Sequence, residues 1–192
     1  MITEAINERY TSLSETSCCL SCGGAINHAN PQSGEVCVDL GSGRGNDVIR
    51  LAEEVGKDGF VYGIDISEGM IAKANANLEK FEVLNAKIQK AELENLPLKS
   101  DSVNLVISNC TINHASDKLA VWSEVYRILK SGGRFVVSDI YATQPIADEY
   151  RNDAVRPPEH GRVGALRSWL RDTRSAGICS VQFRHEGPER RR

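Results

Sequence analysis

The chain has 192 residues, of which 41% are hydrophobic and 26% are charged, and its net charge at neutral pH is -3. These values are typical of one globular domain, and no apolar run reaches the ~18–20 residues that a membrane-spanning helix needs. The N-terminal segment carries Glu4 and Glu8 and lacks the apolar core of a signal peptide, so we expect a cytoplasmic protein whose cysteines are reduced thiols.

The charge is distributed unevenly along the chain. Residues 1–150 hold 13 Lys and Arg against 21 Asp and Glu, whereas residues 151–192 hold 10 Arg, no Lys and 5 acids. No interleaved aromatic pattern accompanies the arginines, so we expect a solvated basic end and no nucleic-acid partner. We divide the chain into an N-terminal helix with a Cys-containing lid segment (1–33), a central domain (34–150) and an atypical Arg-rich tail of the same domain (151–192).

Strands and helices alternate among the predicted elements. A short helix is expected over residues 2–15 and a polar loop over residues 17–34. Short apolar runs predict strands at Val36–Leu40, Phe60–Asp65, Lys87–Lys90, Val103–Ser108 and Arg134–Ile140. The helices predicted between them are Asp47–Val55, a helix capped by Ser67 that continues to Leu78, and Asp117–Lys130, which Gly132 and Gly133 are expected to end.

This order of elements predicts the fold class. Strands that alternate with helices, without hairpin turns between them, are typical of a parallel sheet covered by helices on both faces. We therefore expect an α/β, Rossmann-like, mostly parallel sheet. Beyond Tyr150 the pattern is weaker and predicts a helix over Ala165–Ala176 and a short sixth strand over Ile178–Phe183.

A glycine-rich segment follows the first predicted strand and opens the next helix. Residues 39–45 read DLGSGRG, and glycines in such a turn permit positive φ and a close approach of the backbone to a ligand. Asp65 ends the second strand, where an acid can accept hydrogen bonds from ribose hydroxyls. A dinucleotide-binding turn reads G-x-G-x-x-G, so the spacing here argues against a nicotinamide oxidoreductase and favours a different adenosine cofactor.

The DLGSGRG turn resembles motif I of the class I S-adenosylmethionine-dependent methyltransferases. The resemblance implies that Asp39 lies near the methionine amino group of the cofactor, that Asp65 binds the ribose and that Ile66 lies against the adenine. The cofactor-binding residues expected from it are Asp39, Gly41, Ser42, Gly43, Gly45, Asp65, Ile66, Met70, Glu92 and Asn109.

Three later segments also resemble this family, in the same order. Glu92 precedes Leu96-Pro97, where the family usually has Asp near the adenine amino group. The segment DSVNLV leading into the fourth strand carries Asn104 where the family usually has Asp. The segment LKSGG, residues 129–133, resembles the family's turn before the fifth strand.

A narrower resemblance covers roughly residues 10–153. Ser-Asn-Cys after the fourth strand, EVYRILK at residues 124–130 and SDIYA at residues 138–142 are together similar to arsenite methyltransferases. The resemblance implies that trivalent arsenic is bound by Cys110 and by Cys18 or Cys19, in a segment that folds over the cofactor mouth. It also implies an arsenite–thiol adduct as the substrate and a thiol reductant.

The chemistry of arsenic agrees with such a site. Arsenic(III) is a soft centre that prefers thiolates, and its lone pair carries no proton, so methyl transfer needs alignment and no general base. His114 is a candidate base for an oxygen or nitrogen acceptor, and a loop or capping role is the simpler interpretation. For Cys110 alone, the simpler interpretation is a small buried apolar residue.

The other cysteines have different interpretations. Cys37 lies inside the first strand and is predicted to be core. Cys19 and Cys22 form a single C-x-x-C pair, and one such pair without a second is a weak indication of structural zinc.

The tail departs from the arsenite methyltransferases. Members of that family have a further arsenic-binding cysteine beyond the fifth strand, whereas residues 155–165 contain none, and we cannot align Cys179 with it. We hypothesise that the sequence after about Val155 is not the family's own, for instance through a change of reading frame. In that case the last strands of the sheet are incomplete.

Two alternatives to arsenite methylation stay open at this point. One is a methyltransferase of an organic small molecule, such as a quinone precursor, for which Cys110 would be dispensable. The other is a non-catalytic protein that binds the cofactor or arsenic without turnover. The oligomeric state cannot be inferred from the sequence.

Overall fold

The computed structural model describes residues 2–14, 24–139 and 178–182. The helices in this part of the chain are α1 (Ile2–Leu13), α2 (Ala25–Ala29), α3 (Asn46–Val55), α4 (Glu68–Lys80) and α5 (Lys118–Ile128), with a 3₁₀ helix at Ile112–His114. The strands are β1 (Val36–Leu40), β2 (Phe60–Asp65), β3 (Ala86–Lys90), β4 (Val103–Asn109), β5 (Leu129–Ser138) and β6 (Ile178–Gln182).

The strands form one sheet in the order β3-β2-β1-β4-β5-β6. The first five strands of this order are parallel, and β6 pairs antiparallel with β5. The arrangement confirms the predicted α/β, Rossmann-like, mostly parallel sheet. The strand order reverses between β1 and β4, because β2 and β3 lie on one side of β1 and β4 and β5 lie on the other. Ligands of open α/β folds bind at this point.

The core has two parts, one on each face of the sheet. Helices α2, α3 and α4 pack on one face, where Cys37 of β1 is fully buried. Helix α5 and the 3₁₀ helix pack on the other face, against Val38 and Leu40 of the same strand. This alternation along β1 is the two-residue period of a strand buried on both sides.

Local signals explain where two of the helices begin. Ser67 precedes α4, and its hydroxyl accepts a hydrogen bond from the Met70 amide at 3.3 Å, as predicted. Asp117 precedes α5 and accepts from the amides of Leu119 and Ala120. Both side chains satisfy amides that a first helical turn leaves without partners.

Two predictions about secondary structure were wrong. The loop predicted over residues 17–34 contains α2, whose Ala25, Ile26 and Ala29 are buried against the sheet. The five-residue length of α2 is too short to show a helical period in the sequence. Packing, rather than local propensity, stabilises it.

The second wrong prediction concerns the end of α5. The helix ends at Ile128, and Gly132 and Gly133 lie within β5. The amides of Asp101 and Ser102 donate to the carbonyls of Arg127 and Ile128, so the chain entering β4 caps the helix before the glycines are reached. The pairing of β4 with β5 is irregular where the glycines occur.

Several predicted features lie outside the described residues. They include Cys18, Cys19 and Cys22, residue Ile140 of the fifth strand, and the helix over Ala165–Ala176. The predicted sixth strand is described as β6. No helix in the described part of the chain is long and apolar enough to cross a membrane.

Candidate functional site

The glycine turn after β1 is held to the end of β2 by backbone hydrogen bonds. The amides of Gly41 and Ser42 both donate to the Ile64 carbonyl, at 2.8 and 3.0 Å. The amide of Gly43 donates to the Asp65 carboxylate at 2.8 Å. These hydrogen bonds fix the conformation of the turn and join the carboxyl ends of two neighbouring strands.

The three glycines of the turn serve different purposes. All have positive φ, but a Cβ on Gly41 would lie 2.0 Å from the Thr111 hydroxyl, and one on Gly45 would lie 3.2 Å from the Ala74 methyl group. A Cβ on Gly43 would meet nothing within 4 Å. Gly41 and Gly45 thus permit close packing inside the protein, and Gly43 is the position that faces open space.

Asp65 lies beside that open space. Its carboxylate accepts hydrogen bonds from the amides of Gly43 and Ser67, each at 2.8 Å. Burial raises the pKa of this carboxyl group, although these amide hydrogen bonds act in the opposite direction. Each carboxylate oxygen can accept more than one hydrogen bond, so Asp65 retains acceptor capacity for a ribose hydroxyl.

A cluster of carboxylates fits a cationic ligand. Asp39 is 3% exposed, and its pKa is raised well above the ordinary value, chiefly by burial and further by the negative charges of Asp47 and Asp65. The Ser42 hydroxyl is also buried and has no hydrogen-bond partner among the described residues. S-adenosylmethionine carries a sulfonium and an ammonium group, so its charge complements these acids.

The other predicted cofactor residues occupy varied positions. Ile66 is half-buried directly after β2, and the exposed Glu92 lies in the loop after β3, which is joined to β2 by the hydrogen bond from the Ala91 amide to the Asp65 carbonyl. Met70 is fully buried inside α4. Of these residues, Ile66 directly follows Asp65, whereas Met70 contributes core packing.

Asn109 ends β4 and is held from two sides. Its side-chain carbonyl accepts from the Ala25 amide at 3.0 Å, and its amide group donates to Asp47 at 2.8 Å. The contact with Ala25 could not be predicted from the sequence, because α2 was not predicted. Asn109 thus connects the end of β4 to the carboxylate cluster.

Cys110 adopts a left-handed backbone conformation, with φ of 50°. Non-glycine residues rarely occupy this region, at a cost of roughly 1–2 kcal/mol. The Cys110 amide donates to the Ser138 carbonyl at 2.8 Å, which extends the pairing of β4 with β5 past the end of the strand. The cysteine is half-buried at the carboxyl edge of the sheet.

Three neighbours that the sequence did not single out stabilise this conformation. The Thr111 hydroxyl donates to the Asn109 carbonyl at 2.8 Å and packs on Gly41. The buried Asn113 amide group donates to the buried Asp139 carboxylate at 2.8 Å. Strain at Cys110 is thus held by packing and hydrogen bonds on both sides.

His114 contacts the N-terminal helix. Its Nε2 lies 3.1 Å from the Tyr10 hydroxyl, and the two rings meet edge to face. The pKa of His114 is lowered by burial and by the positive charges of Arg9 and Lys118, which favours a neutral ring. Cys37 is buried and its pKa is raised to about 12, so the prediction that it belongs to the core is confirmed.

The strand order, the glycine turn after β1 and the acids ending β1 and β2 define the class of the fold. It is that of the Rossmann-like, class I S-adenosylmethionine-dependent methyltransferases. The chain belongs to the methyltransferase-domain family, because the model of that family, described as a methyltransferase domain, matches residues 31–168.

Arsenite methyltransferases are among the similar proteins. The one from Halobacterium salinarum is 42% identical over 134 residues, covering 70% of this chain and 34% of the relative. The one from Aquipseudomonas alcaligenes is 42% identical over 125 residues, covering 62% and 36%. The crystal structure of an arsenic(III) S-adenosylmethionine methyltransferase from Chlamydomonas reinhardtii has a TM-score of 0.59 and 28% identity, covering 81% of this chain and 54% of that one.

These similarities confirm the resemblance to arsenite methyltransferases and confirm S-adenosylmethionine as the cofactor expected for the domain. The chain spans about a third of the length of the two curated relatives, 34% and 36%.

Proposed function

We propose that the chain transfers a methyl group from S-adenosylmethionine to trivalent arsenic bound by cysteine thiolates. The observation that carries the proposal is the position of Cys110. It follows β4 at the same edge of the sheet as the glycine turn, and Thr111, the next residue, packs directly on Gly41 of that turn. A soft ligand is therefore held next to the cofactor position.

Different residues bind the cofactor and the substrate. Asp39 and Asp65 balance the positive charge of the cofactor, and Gly43 leaves room for it. When bound, S-adenosylmethionine supplies the electrophilic methyl group of its sulfonium. The Cys110 thiolate holds arsenic so that its lone pair is aligned with that methyl group, and no general base is required.

The proposal includes the parts that lie outside the described residues. Cys18 or Cys19 provides a second sulfur ligand, and a small thiol serves as reductant in a reducing compartment such as the cytoplasm. In this division of the chain, residues 1–33 carry the lid, residues 34–150 bind the cofactor, and residues 151–192 form an atypical tail, in which residues 155–165 contain no cysteine.

The His114 environment favours this acceptor over an oxygen or nitrogen acceptor. A general base for an organic acceptor needs an accessible nitrogen, whereas His114 Nε2 faces the Tyr10 hydroxyl and its ring is partly buried. A loop-stabilising role for His114 is therefore the better interpretation.

The direct test is a methylation assay. The purified chain is incubated with S-adenosylmethionine, arsenite and a small thiol, and methylated arsenic and S-adenosylhomocysteine are measured together. We expect both products in the wild type and neither in Cys110→Ser, whereas Cys37→Ala, in the buried strand, retains activity. Cofactor binding without either product in the wild type would contradict the proposal.

A further inference from the structure

Helix α1 crosses the carboxyl edge of the sheet above the glycine turn. It contacts the start of α4, which follows β2, and the 3₁₀ helix, which follows β4. Because β1 lies between β2 and β4, a helix that touches both sides passes over the end of β1. A hydrogen bond from Arg44 to the Leu13 carbonyl, at 2.7 Å, joins the helix to the turn itself.

The contact with α4 is specific at the level of single atoms. The amides of Glu68 and Gly69 donate to the side chains of Asn7 and Thr11, at 3.0 and 3.2 Å. These amides belong to the first turn of α4 and have no partner inside their own helix. A Cβ on Gly69 would lie 2.8 Å from the Thr11 side chain, so the glycine permits this close approach.

The contact with the 3₁₀ helix includes one pair of aromatic side chains. The Tyr10 hydroxyl and His114 Nε2 are 3.1 Å apart, and their ring centroids are 5.7 Å apart in an edge-to-face arrangement. His114 lies four residues after Cys110 in the same short segment. This pair therefore joins α1 to the segment that carries the acceptor cysteine.

We propose that Tyr10 and His114 are positioning residues that hold α1 across the cofactor site and thereby retain the bound cofactor. The contacts of α1 with α4 anchor it on the ribose side, and the Tyr10–His114 pair fastens it on the acceptor side. Loss of the pair removes the attachment on the acceptor side and leaves the contacts with α4 and with Arg44 of the turn, so cofactor exchange becomes faster. The effect on arsenic methylation rests on the proposed function, whereas the effect on cofactor retention does not.

The experiment measures the affinity for S-adenosylhomocysteine by calorimetry and the rate of tryptic cleavage after Arg9 of α1, in the full chain. We expect Tyr10→Phe and His114→Leu each to raise the dissociation constant about fivefold and to speed cleavage, because each removes one partly buried hydrogen bond. The double variant should lose no more than His114→Leu alone, since that change already removes both the hydrogen bond and the ring contact of the pair. His114→Gln, which can still pair with the hydroxyl, should retain most of the affinity.

Matched controls carry the same changes away from α1. Tyr126→Phe on α5 and His28→Leu on α2 should leave affinity and cleavage unchanged, since Tyr126 is 40% exposed and His28 is exposed. Unchanged affinity and cleavage in Tyr10→Phe and His114→Leu, or losses that simply add in the double variant, would overturn the proposal. Changed affinity in a chain that methylates no arsenic would support the positioning role and contradict only the proposed function.

The kinetic constants should show the same loss of cofactor retention. In the arsenite assay, Tyr10→Phe should raise KM for S-adenosylmethionine about fivefold with a smaller change in kcat, because cofactor retention is what the pair provides. A fall in kcat with unchanged KM would contradict a role in holding the cofactor.

Discussion

The two halves of the site are built by different means. The cofactor half, comprising Asp39, the turn at residues 41–45 and Asp65, is held by amides of the turn that donate to the Ile64 carbonyl and the Asp65 carboxylate. The acceptor half, comprising residues 109–114 with Asp139, is held by hydrogen bonds from the Ala25 amide to Asn109, from the Cys110 amide to the Ser138 carbonyl and from Asn113 to Asp139. The first half is a local consequence of strand–turn–helix geometry, and the second depends on the whole fold.

This difference has a consequence for the chemistry. The cofactor half contains buried carboxyl groups, Asp39 and Asp65, whose pKa values are raised by burial. A bound cation stabilises their ionised forms. The acceptor half presents a strained cysteine, kept in a left-handed conformation by Ser138, Thr111 and the Asn113–Asp139 pair. In the proposed function, these carboxylates balance the charge of the methyl donor and Cys110 binds the arsenic.

The largest expected effect on cofactor affinity comes from Asp65. Asp65→Ala should weaken S-adenosylmethionine binding about 100-fold, or ~2.7 kcal/mol, because it removes a charged acceptor and leaves the Gly43 amide without its partner. Calorimetry measures this directly. Asp101→Asn is the matched control, because Asp101 is exposed and has a positive φ that Asn tolerates. Equal affinity in Asp65→Ala and the control would contradict the assigned role.

Substitutions at Gly41 and Gly43 distinguish close packing inside the protein from open space for a ligand. Gly41→Ala should lower the free energy of unfolding by about 3 kcal/mol, because the new methyl group would collide with Thr111. Gly43→Ala should cost only about 1 kcal/mol of backbone strain, since nothing lies within 4 Å. Urea unfolding without cofactor compares the two variants, and similar losses would show that Thr111 does not occupy the Gly41 side.

Affinity for S-adenosylmethionine should depend on pH through Asp39. Its pKa is raised in the protein without cofactor, and a bound cation favours the ionised form, so binding should weaken as pH falls through the raised pKa. We expect the loss of affinity to begin as the pH falls towards this raised pKa, and a flatter profile in Asp39→Asn. The protein without cofactor should gain stability over the same fall in pH, because the folded state then binds more protons than the unfolded state.

A pH profile that is equally steep in Asp39→Asn would assign the dependence to another group. His114 is the group to examine next, because its pKa is lowered and its ring contacts Tyr10 of α1.

The smallest expected effect concerns the backbone at Cys110. Cys110→Gly should be more stable than Cys110→Ala by about 1 kcal/mol, because glycine adopts a left-handed conformation without strain. Both variants remove the thiol and should lose arsenic binding alike. Urea unfolding measures the difference, and an alanine variant as stable as the glycine variant would show that the strain is absent in solution.

The sequence predicted the cofactor half more completely than the acceptor half. The spacing from Gly41 to Asp65 follows from one strand–turn–helix–strand unit, so the pattern is readable within thirty residues. Cys110 was found through resemblance and not through any physical signal around it. Its left-handed conformation could not be predicted, because no residue pattern signals the hydrogen bonds from the Cys110 amide to the Ser138 carbonyl and from Asn113 to Asp139.

Similar reasons explain the errors in the fold. Helix α2 is short, and its contact with Asn109 spans 84 residues, so no local period reveals it. The end of α5 is decided by amides at the entrance of β4 and not by the glycines that follow. The five parallel strands, in contrast, were predicted because buried apolar runs between glycine-containing turns are local signals.

The central claim is that Cys110 binds the arsenic that accepts the methyl group. X-ray absorption at the arsenic edge, on the purified chain with stoichiometric arsenite, measures the number of sulfur neighbours. We expect a shell of sulfur atoms in the wild type, one fewer sulfur in Cys110→Ser and no change in Cys37→Ala. An arsenic shell that is the same in the wild type and Cys110→Ser would contradict this claim.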